Sequence, residues 1–99
     1  MSVESRLQSK IRGHLKDLGC DVLVIKPQPG IPDGWEDIVF FRGTKWGTLE
    51  VKKDPNAEYQ PLQEERIARH NEWSFARRVD PTDWNTIKVE VEMFLYDSV

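Results

Sequence analysis

The chain carries a single cysteine, Cys20, so no disulfide can form within it. Small domains stapled by disulfides carry several cysteines, so a lone thiol points to a reducing, cytoplasmic setting. Cys20 stands between Gly19 and Asp21 with no base beside it, and is expected to fill core rather than to react. Long hydrophobic runs are missing too. No stretch approaches the roughly 20 apolar residues that span a bilayer, and the N-terminus has no apolar signal segment. A basic excess is also lacking: 14 Lys and Arg face 17 Asp and Glu, for a formal net charge of −3. That argues against a protein held on nucleic acid by bulk charge. It leaves open an enzyme whose phosphate contacts depend on where its cations lie. The two histidines, His14 and His70, have no spacing to a nucleophile or to another ligand, so histidine-based catalysis is disfavoured. Repeats and low-complexity tracts are absent.

What remains is enough for one domain, residues 1–99, with one sheet and a few helices. Leu7, Ile11, Leu15 and Leu18 recur at helical spacing after Ser2, a candidate N-cap, and Gly19 is a candidate stop. The β-branched run from Asp21 to Lys26 predicts a strand. Pro27 to Gly34 holds three prolines and two glycines in eight residues and must be a loop. It could cover or guide a substrate, or simply connect. Ile38 to Phe41 is continuously apolar, as in a central strand covered on both faces. Arg42 to Gly47 reads as a hairpin turn, with Trp46 packed on the sheet edge, and Gly47 to Lys53 as the returning strand. Pro61 suits the first turn of a second helix that turns Leu62, Ile67 and Trp73 inward, with Arg66, Arg69 and His70 on its flank. Ser74 to Val79 predicts a fourth strand. Asp80 is then expected to cap a last helix with Trp84, Ile87, Val91 and Phe94 on one face, although Lys88 to Met93 alternates as a strand would.

The chemistry concentrates on the second and third strands. Glu50 and Lys52 share one face of a strand while Val51 points the other way. An acid and a lysine on an otherwise apolar strand need a partner or a metal, because a buried lone charge is costly. Asp37 opens the preceding strand. Two carboxylates at the mouth of a hairpin form a hard-oxygen site suited to Mg²⁺ or Mn²⁺. If the turn pairs Gly43 with Trp46, then Phe41 faces Thr48, Val39 faces Glu50 and Asp37 faces Lys52, so all three polar groups project from one face. Glu4 lies on the apolar stripe of the first helix; it is either a first-turn acid that favours the helix dipole or a further carboxylate for the metal.

Asp37…Glu50-x-Lys52 resembles the PD-(D/E)XK nuclease motif. With its flanking segments, from about Glu4 to about Asp80, the chain is most similar to small stand-alone, phage-type members of the VRR-NUC family, itself similar to the archaeal Holliday-junction resolvases. The resemblance implies an α/β, restriction-endonuclease-like core: a mixed central sheet flanked by helices in the order α-β-β-β-α-β-α. It implies metal-dependent hydrolysis of phosphodiester bonds in DNA, structure-selective on branched or four-way junctions, in viral replication, recombination or repair in a host cytoplasm. Asp37, Glu50 and the Val51 carbonyl, with Glu4, would hold Mg²⁺ or Mn²⁺, and no organic cofactor is implied. Lys52 would stand beside the attacking water, and Gln63, in Gln60-Pro61-Leu62-Gln63, matches the family's glutamine after the Glu-x-Lys strand. Lys26, Lys53, Arg66, Arg69, Arg77 and Arg78 are candidates for DNA phosphates, or else a solvated face paired with Glu64, Glu65 and Glu72. The sequence departs from the motif where Glu36 stands in the proline position, and the literal Pro32-Asp33 makes Asp33 an alternative to Asp37. A homodimer is expected, from four tryptophans and apolar surface to spare. The alternatives are a catalytically silent nucleic-acid-binding module, a sequence-specific or homing-type endonuclease, or an unrelated α/β protein with an edge strand of solvated charges.

Overall fold

The computed structural model describes residues 1–97. Its elements run α1 (Val3–Asp17), β1 (Asp21–Val24), β2 (Ile38–Arg42), β3 (Lys45–Val51), α2 (Gln63–Trp73), β4 (Phe75–Val79) and α3 (Trp84–Tyr96). The four strands form one mixed sheet in the order β1-β2-β3-β4, antiparallel from β1 to β3 and parallel between β3 and β4. The expected α/β class and the α-β-β-β-α-β-α order are therefore those observed. Among the described residues no helix is long and apolar enough to cross a membrane.

Helix α1 forms where the spacing placed it. The Ser2 hydroxyl accepts from the Ser5 N–H at 3.1 Å, satisfying one free donor of the first turn. At the other end Cys20 N–H bonds the Leu15 carbonyl and Gly19 N–H the Lys16 carbonyl, a closure that needs the positive φ of Gly19 (+84°). Leu7, Ile11 and Leu15 of α1 and Trp84, Ile87, Val91 and Leu95 of α3 pack on Ile38, Phe40, Leu49, Val51, Phe75 and Val79 of the sheet. Cys20 is buried at the edge of this core, and burial pushes its thiol above the ordinary value, the reverse of activation. Alternation along β3 sends Leu49 and Val51 into that core and Thr48 and Glu50 to the opposite face, where α2 packs on β3 and β4.

Several expectations are corrected. The turn is only Gly43-Thr44, with Arg42 paired to Lys45, so Trp46 and Gly47 belong to β3. The pairs are Phe41 with Trp46, Phe40 with Gly47, Val39 with Thr48 and Ile38 with Leu49. This register is slipped by two residues from the expected one. Because a two-residue slip preserves pleat parity, the facing of Asp37, Glu50 and Lys52 survives it. Gly47 sets the register: the Phe40 ring lies where a Cβ would be. Phe41 is exposed rather than covered on both faces. Strand β1 ends at Val24, and the Ile25 N–H carries its register with β2 one residue further by donating to the Asp37 carbonyl at 2.7 Å. Helix α2 starts at Gln63 and leaves Leu62 and Trp73 exposed, turning Gln63 and His70 inward instead. The N-cap of α3 is Asp83, while Asp80 forms an Asx turn with Thr82 one turn earlier. Lys88 to Met93 is helical, its strand-like alternation overridden by the buried spacing of Ile87, Val91 and Leu95.

Candidate active site

Four polar groups converge where β2 and β3 leave the sheet beneath the start of α2. Asp37 directly precedes β2 and is anchored twice: its carbonyl accepts from Ile25, and its Oδ2 accepts from the Val51 N–H at 2.9 Å. Glu50 is 2 % exposed and Lys52 7 % exposed. Lys52 follows β3 but stays in line with it through its N–H to the Val79 carbonyl at 2.8 Å. Gln63, the first residue of α2, joins them. Its Oε1 accepts from Lys52 Nζ at 2.8 Å and from the Gln60 N–H at 2.7 Å, and its Nε2 donates to Glu50 Oε2 at 3.2 Å. Lys52 Nζ lies 3.5 Å from the same Glu50 oxygen.

Leu62 makes this possible. It adopts a left-handed backbone (φ 70°), rare for a branched residue, to turn the Gln60-Pro61 loop into α2 and present Gln63 to the site. Gly34 sits directly against it: a Cβ there would lie 2.8–2.9 Å from Leu62 backbone and side-chain atoms. The Pro/Gly loop and the loop before α2 are thus clamped together.

Glu50 Oε1 has no donor. The adjacent carboxyl, Asp37, is another acceptor, and two carboxyls lie together only with a shared proton or a cation between them. Burial first, then the Asp37 charge, pushes Glu50 up to about 8; burial likewise raises Asp37, against the Val51 hydrogen bond, and the charge of Glu4 adds to the rise. Asp37, Glu50, Lys52, Gln63, Glu4 and Lys53 line one open cleft of about 650 Å³. The donor set fits a hard divalent ion that takes one or two carboxylates and keeps its waters. Among the described residues no three His, Cys, Asp or Glu side chains already form a metal cage. Val51 meets the site through its N–H, and a strand residue's carbonyl leaves on the same edge as its N–H, here the Asp37 side.

The fold therefore brings together Glu4, Asp37, Glu50, Val51, Lys52, Gln63 and Lys53. Asp33 lies outside: it is exposed, its carbonyl accepts from Arg66 Nη2 at 3.1 Å, and it lines a neighbouring cleft. The arginines are not gathered into one patch. Arg66 also stacks over Trp35, Arg69 over Trp73, and Arg78 over Tyr59 while bonding the Asp54 and Pro55 carbonyls. Arg77 pairs with Glu90 of α3 at 2.8 Å, not with Glu64, Glu65 or Glu72. Lys26 is exposed beside the Pro/Gly loop.

Sequence reasoning missed a second buried pair. His70 Nδ1 lies 2.8 and 3.0 Å from the two oxygens of Glu36, which is fully buried, and Trp35, Trp46 and Trp73 surround the ring at 4.9–5.8 Å. A signal existed, since Gln63 and His70 are seven apart and share a helix face. Glu36 thus anchors α2 to the entry of β2. Scans of the chain against family models, curated proteins and solved structures gave no match.

Proposed function

We propose that this protein is a metal-dependent endonuclease that hydrolyses phosphodiester bonds in DNA. The observation that carries the reading is the pairing of the half-buried Asp37 carboxyl with the buried Glu50 carboxyl, whose Oε1 has no donor, beside a lysine fixed by a glutamine. An ordinary solvated edge strand would leave Glu50 and Lys52 exposed, and they are not. Asp37 and Glu50, with the Val51 carbonyl and Glu4, would hold Mg²⁺ or Mn²⁺. When bound, such an ion supplies a lowered water pKa and neutralises charge on the scissile phosphate.

The chain's own groups do the rest. The Val51 N–H fixes Asp37, so that carboxylate needs no rearrangement on binding. Gln63 uses both ends of its amide to orient Lys52 and Glu50. An ammonium has three donors; those beyond the one given to Gln63 Oε1 serve the attacking water or a phosphate oxygen, as preorganised donors do in a water-poor site. Lys53, on the rim of the cleft, and Lys26 contact flanking phosphates, which position DNA without reading its sequence.

Branched DNA is the preferred substrate, cut by a homodimer in the cytoplasm with one site for each of two strands. Leu23 and Phe41 are exposed apolar side chains on the sheet face that α2 only partly covers, Trp73 is exposed at the end of α2, and all three favour self-association. A cleavage assay on labelled junctions, flaps and duplexes, with and without Mg²⁺, tests the reading. Metal-dependent cutting that Lys52→Ala abolishes is the expected result. Undiminished cutting in excess chelator would end it.

A further inference from the structure

A second cleft, of about 420 Å³, adjoins the carboxylates, and Asp37, Gln60 and Gln63 line both. Its volume lies in the range of sites that enclose small organic groups. The wall opposite the carboxylates comes from the Pro/Gly loop. Pro27, Ile31, Pro32 and, from the next loop, Pro61 offer rigid apolar surfaces, and Gln28 and Gln60 add amides. No lysine or arginine lines it, while Asp33 and Asp37 do. Phosphate is therefore repelled, and a neutral planar group with hydrogen-bonding edges is favoured. Trp35 completes the wall, held by Arg66 over its ring and His70 at 4.9 Å, with its Nε1 buried and without a protein partner. The Gly34–Leu62 clamp and the bond from Arg66 to the Asp33 carbonyl fix this loop against α2, so the cleft is preformed.

We propose that this cleft is a nucleobase pocket, taking the unpaired base of a nucleotide next to the scissile phosphate. The inference rests on the nuclease reading for its place in the reaction: a base held here is joined through its sugar to a phosphate at the shared Asp37 wall. A fully paired duplex cannot offer such a base without unstacking it, which costs a few kcal/mol. Cutting therefore favours DNA in which the nucleotide is already unpaired, as at a bulge, a flap base or a branch point.

Two measurements separate this pocket from the activity. In the first, isotope-labelled protein without divalent cation is titrated with each of the four neutral 2′-deoxynucleosides, using deoxyribose as control. At least one nucleoside is expected to shift the Trp35 indole N–H and the Gln28 and Gln60 side-chain amides, with deoxyribose inert. Ile31→Trp, which fills the cleft, should weaken that binding at least tenfold. Gln28→Leu, a change at an exposed loop position, should weaken it without loss of fold. Absence of these shifts, or shifts unchanged in Ile31→Trp, would overturn the pocket. In the second, Mg²⁺-dependent cleavage of a duplex with one unpaired nucleotide is compared with the fully paired duplex. The wild type should prefer the first at least tenfold, and Ile31→Trp should bring the ratio towards one. Equal rates for the wild type would refute the pocket. If nucleosides bind and no DNA is cut, the nuclease reading fails and the nucleobase site stands.

Discussion

At Glu50 two requirements conflict: a metal site wants the carboxylate charged, and its burial beside Asp37 wants it neutral. The consequence is a pH dependence of stability with a definite sign. The folded protein holds a proton on Glu50 up to about pH 8, where the unfolded chain releases it near the ordinary value of 4.5. Stability from this group is thus complete below pH 4.5 and is lost as pH rises towards 8. Each pH unit in that window costs on the order of 1 kcal/mol. Thermal melts of the metal-free protein should fall from pH 5 to pH 8, and Glu50→Gln should flatten that slope. A parallel slope in the variant would show that Glu50 is not the titrating group. For the aspartates, the fold predicts unequal outcomes. Asp37→Asn removes a carboxylate tied to Val51 and should abolish metal binding and cleavage together, while Asp33→Asn should keep most of both. Calorimetry with Mn²⁺ and a cleavage assay on both variants check this. Lys52→Ala should lower turnover by two or more orders of magnitude with metal binding largely kept, as loss of a preorganised donor does.

Among the elements, the loops before β2 and before α2 matter more to the site than any helix. Gly34 has φ +85° and touches Leu62, so Gly34→Ala introduces both backbone strain and a clash. It should destabilise the fold by about 2 kcal/mol or more and reduce cleavage further than the stability loss alone explains, because Leu62 sets the start of α2. Urea denaturation beside single-turnover cleavage at low temperature separates the two effects. The helices were legible in the sequence because their apolar spacing is local: Ser2, Leu7, Ile11, Leu15 and Gly19 define α1 without reference to anything else. The inward face of α2 was not. Its buried positions are Gln63 and His70, polar residues whose burial is made tolerable only by Glu50, Lys52 and Glu36 arriving from elsewhere in the chain.

For the whole molecule, binding and stability are linked. If Mg²⁺ or Mn²⁺ binds between Asp37 and Glu50, saturating metal should raise the melting temperature, and more so at pH 8 than at pH 5, where protons compete for the same carboxylates. At 100 times the dissociation constant the gain is ~2.7 kcal/mol, worth roughly 10–20 °C in a domain of this size. Scanning calorimetry with and without metal at both pH values checks it, and equal shifts at both would argue against the carboxylates as the ligands. Light scattering at micromolar concentration should give a dimer, weakened by Leu23→Lys or Phe41→Lys, since both side chains are exposed on the partly covered sheet face.

The sequence alone determined the elements, their order, and the common facing of Glu50 and Lys52, because helical and strand periods are properties of neighbouring residues. It also carried the parity that keeps Asp37 on their face, which a two-residue slip leaves unchanged. The tertiary structure decided what depends on distant partners. It set the register through Phe40 lying on Gly47, and it set Asp37 apart from Asp33 through the Val51 N–H. It placed Gln63 between Lys52 and Glu50 through a left-handed Leu62. It gave the arginines partners spread across the molecule and buried Glu36 with His70. Most of these are contacts between residues of different elements, and such a contact exists only once packing has fixed where both ends lie.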